Sequence, residues 1–322
     1  MDKILEVTHL KKYFNTPKGL LHAVDDVTFS LEPGETLGVV GESGCGKSTL
    51  GRTILNLTET TSGSIRFRGE DITNISRGAA FVEMRKKMQL IFQDPFSSLD
   101  PRICVFDAIA EPLRIHKVCA SDAELEKQVR GLMDRVGLAE RLTFSYPHEL
   151  DGGRRQRIGI ARALALRPEF IVCDEPVSAL DVSIQAQILN LMQDLQEEMG
   201  LTYLFITHDL SVVKHISNEI LVMYLGKMVE KCEADELFEN TLHPYTKALL
   251  AAIPIPEVRE KKKRELIRGE VSSPINPKPG CRFAPRCPYA TELCTQQTPE
   301  MQELLPGHFV ACHHAKELNH LA

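Results

Sequence analysis

Three short apolar runs punctuate the chain, and each reads as a strand. They are Glu35-Thr-Leu-Gly-Val-Val40, Glu169-Phe-Ile-Val-Cys-Asp174 and Thr202-Tyr-Leu-Phe-Ile-Thr207. Helical patterning follows the first run at Leu50-Gly-Arg-Thr-Ile-Leu-Asn-Leu57 and precedes the second at Arg157-Ile-Gly-Ile-Ala-Arg-Ala-Leu-Ala165. The stretch between Gln93 and about Tyr146 is also rich in helical patterning. Strands alternating with helices predict an α/β fold with a parallel sheet, whose ligands gather beyond the carboxyl ends of the strands.

The chemistry sits where those strands end. The first runs into Gly41-Glu-Ser-Gly-Cys-Gly-Lys47-Ser48-Thr49 and then a helix. Gly41, Gly44 and Gly46 free the backbone to turn its N–H groups inward on a phosphate, with Ser43, Cys45 and Thr49 completing the loop. In this pattern Lys47 reaches the β and γ phosphates and the Ser48 hydroxyl sits on Mg²⁺. Strand, loop and helix together predict a bound nucleoside triphosphate, ATP. Cys45 reads as a small filler, with the electropositive loop as the argument for a sharper reactivity.

The second strand ends in Asp174 and Glu175, and the third in His208-Asp209. Asp174 is expected to hold Mg²⁺ through its water shell, Glu175 to polarise the attacking water, and His208 to sense the γ-phosphate.

Composition leaves this picture intact. A chain of 322 residues, 43% hydrophobic, can bury one large α/β core plus an appendage. A net charge of −6 gives no sign of a general nucleic-acid binder. The start, Met1-Asp-Lys-Ile-Leu-Glu, lacks a secretion-signal profile, and no apolar run approaches the roughly 18 residues needed to cross a bilayer. The expectation is a cytoplasmic protein that reaches a membrane only through partners.

These motifs, in this order, resemble the ATPase subunits of ABC transporters over nearly the whole chain. The resemblance implies an ABC-ATPase core with an antiparallel β layer, an inserted helical subdomain at about 94–160, and a small Cys-rich C-terminal extension. The expected organisation is a nucleotide-binding domain over 1–252, a Pro-rich linker over 253–280 and a Cys-rich region over 281–322. The linker carries a basic run, Lys261-Lys-Lys-Arg264, read as a solvated face or a lipid-headgroup contact. The resemblance implies that Gln93 contacts Mg²⁺ and water, that Tyr13 stacks on adenine, and that Ser178-Ala-Leu-Asp181 crosses a dimer interface. It also implies a second ABC ATPase subunit, two transmembrane permeases and an extracellular peptide-binding protein, with this chain peripheral on the cytoplasmic face of the plasma (inner) membrane. Leu242-His-Pro-Tyr-Thr-Lys-Ala-Leu-Leu250 and Gln93-Asp-Pro-Phe-Ser-Ser-Leu-Asp-Pro-Arg102 resemble the oligopeptide and dipeptide importer branch. Import of nickel or another metallophore is the alternative within that branch, and a largely non-hydrolysing regulatory subunit the alternative outside it.

One motif departs from the family. Where it usually has Leu-Ser-Gly-Gly-Gln, this chain has Leu150-Asp151-Gly152-Gly153-Arg154. Aspartate caps a helix as well as serine does, so the following helix is expected to form. The chemistry offered to a nucleotide changes, because serine donates to the γ-phosphate whereas ionised Asp151 only accepts. Two unit charges about 4 Å apart repel by roughly 4 kcal/mol at an effective dielectric near 20. Arg154 and Arg155 are candidates to offset this. The expectation is a heterodimer in which the Asp151 site hydrolyses slowly or only holds ATP; the alternative is that the neighbouring arginines, or protonation, make Asp151 tolerated.

Four of the nine cysteines, Cys281, Cys287, Cys294 and Cys312, gather near the C-terminus. A reducing compartment disfavours structural disulfides, and these spacings are longer than the paired C-x2-C of common zinc sites. Four thiolates suit a [4Fe–4S] cluster, with Arg282 and Arg286 to balance its charge. Resemblance to the peptide-importer branch, where such clusters occur, points the same way. Zinc, free thiols and a disulfide formed on oxidation stay open, with His313 and His314 as reserve ligands.

Overall fold

The computed structural model describes residues 3–73, 75–94, 96, 98–253 and 273–321. The basic run Lys261-Lys-Lys-Arg264 and most of the expected linker lie outside the described residues. In chain order the strands are β1 (Leu5–Thr16), β2 (Gly19–Leu31), β3 (Thr36–Val40), β4 (Ser62–Phe67), β5 (Glu70–Asp71), β6 (Met88–Ile91), β7 (Phe170–Asp174), β8 (Thr202–Ile206), β9 (Glu219–Tyr224), β10 (Lys227–Glu233), β11 (Gln302–Leu305) and β12 (His308–Val310). The helices are α1 (Lys47–Ile54), α2 (Ala79–Lys87), α3 (Val105–Ile115), α4 (Asp122–Arg135), α5 (Gly152–Leu164), α6 (Val182–Met199), α7 (Leu210–Ile216), α8 (Ala234–Glu239), α9 (Pro244–Ala251), α10 (Glu292–Gln296) and α11 (Ala315–Leu318).

The chain divides into two compact units, Met1–Leu31 with Thr36–Asn74 and Thr207–Ala322, and Glu32–Glu35 with Ile75–Ile206. The first unit holds two sheets. Its antiparallel layer runs in the order β2-β1-β4-β5, as the resemblance implies. In its other sheet β3 lies parallel to β9, β9 antiparallel to β10, and β10 antiparallel to β12, which pairs with β11. The C-terminal region is therefore more than an appendage, because two of its strands extend a sheet through Glu230–Val310 and Lys231–Phe309 pairing. Beneath it lies a core in which Tyr224 meets Tyr245 and Phe283 edge to face and the latter two tilt against each other, with ring centroids 4.7–5.4 Å apart.

A buried carboxylate ties that sheet to the residues after it. Glu230 accepts from the backbone N–H of Leu242 (2.7 Å) and His243 (3.2 Å) and meets Nε2 of His308 at 2.9 Å. Both Glu230 and His308 are fully buried, and their pairing offsets part of the cost of burying them.

The second unit contains the parallel strands β8, β7 and β6 and the helices α2 to α6. Every residue of β7 and β8 is buried, which is why these strands read as unbroken apolar runs. The helical segment inserted between β6 and β7 contributes α3, α4 and α5, each with buried apolar residues at helical spacing. Side-chain caps open three helices: Ser121 for α4, Asp151 for α5 and Asp181 for α6. Gly200 at φ 66° ends α6.

Sequence pattern and structure agree on the strands to within a residue at each end. They differ at α1, which begins at Lys47 and not at Leu50, and ends at Ile54. The start is set by the loop geometry at Gly46, which apolar periodicity does not register. Likewise α5 begins at Gly152, so the divergent motif forms its first turn.

Candidate active site

In the first unit the loop from Gly41 to Thr49 wraps the N-terminus of α1. Gly41 (φ 151°) and Gly46 (φ 107°) are fixed as glycine by close approach: an added Cβ would stand 2.2 Å from the Met223 carbonyl and 1.9 Å from the Ala23 carbonyl. Gly44, also at positive φ, faces open space. The Cys45 carbonyl accepts from Gly226 N–H at 2.7 Å, pinning the middle of the loop. Cys45 is buried, and burial pushes its thiol up despite neighbouring Lys47, which fits the filler role. Lys47 folds back on its own loop, donating to the carbonyls of Gly41 (2.7 Å) and Glu42 (3.2 Å). Ser43 lies at the open rim, and Ser48 and Thr49 lie in the first turn of α1. His208 is exposed and immediately precedes Asp209, the cap of α7.

Tyr13, on β1, stacks on His22 with ring centroids 3.9 Å apart and donates its hydroxyl to Asp25 at 2.6 Å. Burial, then the bond to Asp25, pushes the Tyr13 hydroxyl far above its usual range. Burial of Asp25 opposes ionisation, but Tyr13, Lys227 and Arg282 outweigh it and hold the carboxyl below its usual range. The ring expected to meet adenine is therefore locked in place by His22 and Asp25, which the sequence did not mark, while Arg282, read there as charge balance for the cysteines, holds Asp25.

In the second unit, Asp174 is buried at the end of β7 and Glu175 follows it in a left-handed conformation (φ 48°). That conformation is uncommon outside glycine and tends to persist where surrounding bonds impose it. Here Glu175 N–H donates to the Ile206 carbonyl at 2.9 Å, and Ser178 donates through Oγ to the Glu175 carbonyl at 3.1 Å. Gln93 Nε2 donates to Glu175 Oε2 at 3.0 Å, so two residues 82 positions apart in sequence meet as candidate water-positioning groups.

The divergent motif lies in the same unit. Asp151 Oδ1 accepts from Arg154 N–H at 2.8 Å, which is the expected cap, and Oδ2 pairs with the Arg154 guanidinium at 3.2 Å. Arg155 is buried and committed elsewhere: it donates to the Pro147 carbonyl at 2.6 Å and stacks over Phe96 at 3.9 Å. Arg154 alone of the two expected arginines offsets the Asp151 charge. Gly152 and Gly153 admit close packing, since added Cβ atoms would stand 3.0 Å from Leu180 and 2.7 Å from Ile184. Asp181 caps α6 through a 3.0 Å bond from Ile184 N–H.

The four C-terminal cysteines line one small pocket together with His243 and Phe283. Burial raises the thiols of Cys281 and Cys287, and Cys312 is pushed up to about 11 by burial and by the neighbouring cysteines. Among the described residues no three His, Cys, Asp or Glu side chains gather as a ready metal-binding group. His313 Nε2 meets the Gln297 carbonyl and His314 Nε2 the Thr291 hydroxyl, each at 2.9 Å, so both reserve ligands are engaged. Arg282 and Arg286 are paired with Asp25 and Glu42, and do not stand as spare charges for the cysteines.

The His-Pro-Tyr segment has a structural reading. His243 Nδ1 accepts from Tyr245 N–H at 3.0 Å and caps α9, Pro244 occupies the first helical position, and Tyr245 Oη accepts from Glu42 N–H at 2.9 Å. His243 is buried, and burial lowers it to about 4, so it accepts as a neutral ring.

A family model described as "ABC transporter" matches residues 24–178, and one described as "Oligopeptide/dipeptide transporter, C-terminal region" matches residues 229–294. The Bacillus subtilis oligopeptide transport ATP-binding protein AppF is 54% identical over 321 residues, covering 97% of each chain. The Haemophilus influenzae oligopeptide transport ATP-binding protein OppF is 51% identical, again over 97% of each. Among solved structures, cbiO1 of Clostridium perfringens, part of the ABC transporter complex cbiONQ, aligns with TM-score 0.66 at 28% identity, covering 74% of this chain and 92% of that one. The ATP-binding cassette MJ0796, in a dimeric post-hydrolysis state bound to ADP and Pi, aligns with TM-score 0.65 at 28% identity over 71% of this chain and 98% of its own.

The His243 geometry predicts a pH dependence of stability. Its folded pKa lies below the ordinary 6.5, so the stabilisation is complete above 6.5 and is lost on acidification toward 4. Between pH 6.5 and 5 one such group removes up to about 2 kcal/mol. Urea unfolding at pH 7 and pH 5 should show a smaller acid loss for His243→Asn, which keeps a cap without the titrating ring; equal losses would contradict the assignment.

The glycine-bounded phosphate loop, the Gln93–Glu175 pair and the whole-length similarity lead to one assignment: the chain belongs to the ABC transporter ATPase family.

Proposed function

We propose that this chain hydrolyses ATP to energise import of oligopeptides, as an ATP-binding subunit of a membrane transporter. The observation that carries the reading is identity of about half the residues over nearly the full length to oligopeptide transport ATP-binding proteins, C-terminal region included. That similarity favours peptides over nickel or another metallophore. Among the described residues no helix is long and apolar enough to cross a membrane. The reading therefore assigns passage to two permease subunits, delivery to a peptide-binding protein, and this chain to their cytoplasmic face.

In this reading the loop N–H groups from Gly41 to Thr49 bind phosphate and Tyr13 stacks on adenine. Lys47 exchanges its bonds to the Gly41 and Glu42 carbonyls for the β and γ phosphates. Ser48, Gln93 and Asp174 serve Mg²⁺, Glu175 polarises the attacking water, and His208 meets the γ-phosphate. The Gln93–Glu175 bond supports the role of Glu175, since it orients the carboxylate before water arrives. Replacing a general base costs about 10²–10⁴ in rate. Glu175→Gln should lower single-turnover hydrolysis by that factor with ATP still bound; activity indifferent to the change would favour a non-hydrolysing subunit.

Asp151 supports pairing with a different ATPase subunit. Its carboxylate is spent on the α5 cap and Arg154, so it brings an acceptor where a nucleotide phosphate requires a donor. A site completed by Asp151, Gly152 and Gly153 turns over slowly, and one completed by a partner's serine-bearing motif turns over fast. Asp151→Ser keeps the cap and should raise hydrolysis in the assembled pair severalfold; no gain would sink the slow-site reading.

The cysteine pocket supports a [4Fe–4S] cluster held by Cys281, Cys287, Cys294 and Cys312. Four soft ligands line one pocket, and thiolates are the ligands that hold iron–sulfur clusters. When bound, such a group supplies a covalent staple and a redox centre. Anaerobically purified protein should contain about four irons and four sulfides per chain, lost together in Cys287→Ser. One zinc, or no metal, would contradict it.

A further inference from the structure

The turn that carries Cys281 and Cys287 also carries two arginines whose partners belong to the nucleotide site. Arg286 is 8% exposed and forks onto Glu42, with Nη2 to Oε1 at 3.0 Å and Nη1 to Oε2 at 2.7 Å; Nη1 also donates to Tyr224 Oη at 3.3 Å. Glu42 is the second residue of the phosphate loop. Its N–H is held by Tyr245 Oη at 2.9 Å and its carbonyl by Lys47 Nζ at 3.2 Å. All three of its polar groups are thus occupied, the carboxylate by the cysteine-bearing turn and the amide by Tyr245 of α9.

Arg282 reaches the other end of the site. It donates to Asp25, the acceptor of the Tyr13 hydroxyl, and to the Leu225 carbonyl. Leu225 directly precedes Gly226, whose N–H holds the Cys45 carbonyl. One seven-residue turn, Cys281 to Cys287, therefore grips the phosphate loop with one arginine and the adenine platform with the other. Burying a guanidinium unpaired is unfavourable, so movement of either arginine away from its carboxylate would leave a buried charge behind. The fork geometry also fixes direction, because two parallel N–H···O bonds tolerate little rotation.

We propose that Arg282 and Arg286 are positioning residues for the nucleotide, through which the cysteine-bearing turn sets the affinity of the site. Arg286 holds the loop backbone in its phosphate-ready shape through Glu42. Arg282 holds the Tyr13 ring through Asp25. The inference rests on the reading of Gly41–Thr49 and Tyr13 as the ATP site.

The test is titration of the full-length chain with a fluorescent ATP analogue, with steady-state kinetics and a thermal melt on each variant. Arg286→Gln should weaken binding about tenfold, the size expected for one charge-assisted fork. KM should rise with it while kcat changes less, since Glu175 is untouched. Glu42→Gln should cost a similar factor, and the double variant no more than either single, because both remove one interaction. Arg286→Lys should recover part of the loss, keeping charge without the fork. Lys47→Ala is the control. Wild-type affinity in Arg286→Gln, with binding abolished in Lys47→Ala, would overturn the positioning role alone. Wild-type affinity in both would overturn the ATP-site reading itself. If Arg286→Gln melts below the assay temperature, Arg286→Lys and Glu42→Gln carry the test, and additive losses would overturn the proposal.

Discussion

The arrangement depends on how the backbone at Glu42 is held. A phosphate loop binds with main-chain N–H groups, so its carbonyls and amides must be kept from collapsing onto each other before a ligand arrives. Here Gly41 and Gly46 press against neighbouring carbonyls where no side chain fits. Gly226 holds the Cys45 carbonyl, Tyr245 holds the Glu42 amide, and Arg286 holds the Glu42 carboxylate. These three supports come from residues far downstream that belong to the same unit as the loop.

Much of this was legible in the sequence, for local reasons. The strands β3, β7 and β8 read clearly because burial on both faces leaves no polar interruption. The Gly41–Thr49 loop, Asp174, Glu175 and His208 follow those strands directly, so the candidate site was read from the same runs as the fold. The cap at Asp151 was equally local.

What was illegible is non-local. The strands β11 and β12 are four and three residues long, too short for a period, and exist through pairing with β10. Arg286 and Glu42 are 244 positions apart, and Arg282 and Asp25 are 257 apart. From sequence alone the two arginines were neighbours of cysteines and were read as charge balance for them. Arg155 was similarly misplaced: two adjacent arginines look alike, yet one faces Asp151 and the other is buried against Pro147 and Phe96. Helix geometry separates them, because consecutive residues point about 100° apart around the axis.

The central claim is that downstream residues, Tyr245 of α9 and Arg286 of the cysteine-bearing turn, hold the phosphate loop in its binding shape before nucleotide arrives. Hydrogen exchange of the nucleotide-free, full-length chain, resolved over Gly41–Ser48, tests it most directly. The account predicts that the Glu42 amide, bonded to Tyr245, exchanges well below the rate of an unstructured peptide and that Tyr245→Phe removes this protection. Exchange at the unstructured rate in the unmodified chain would contradict it.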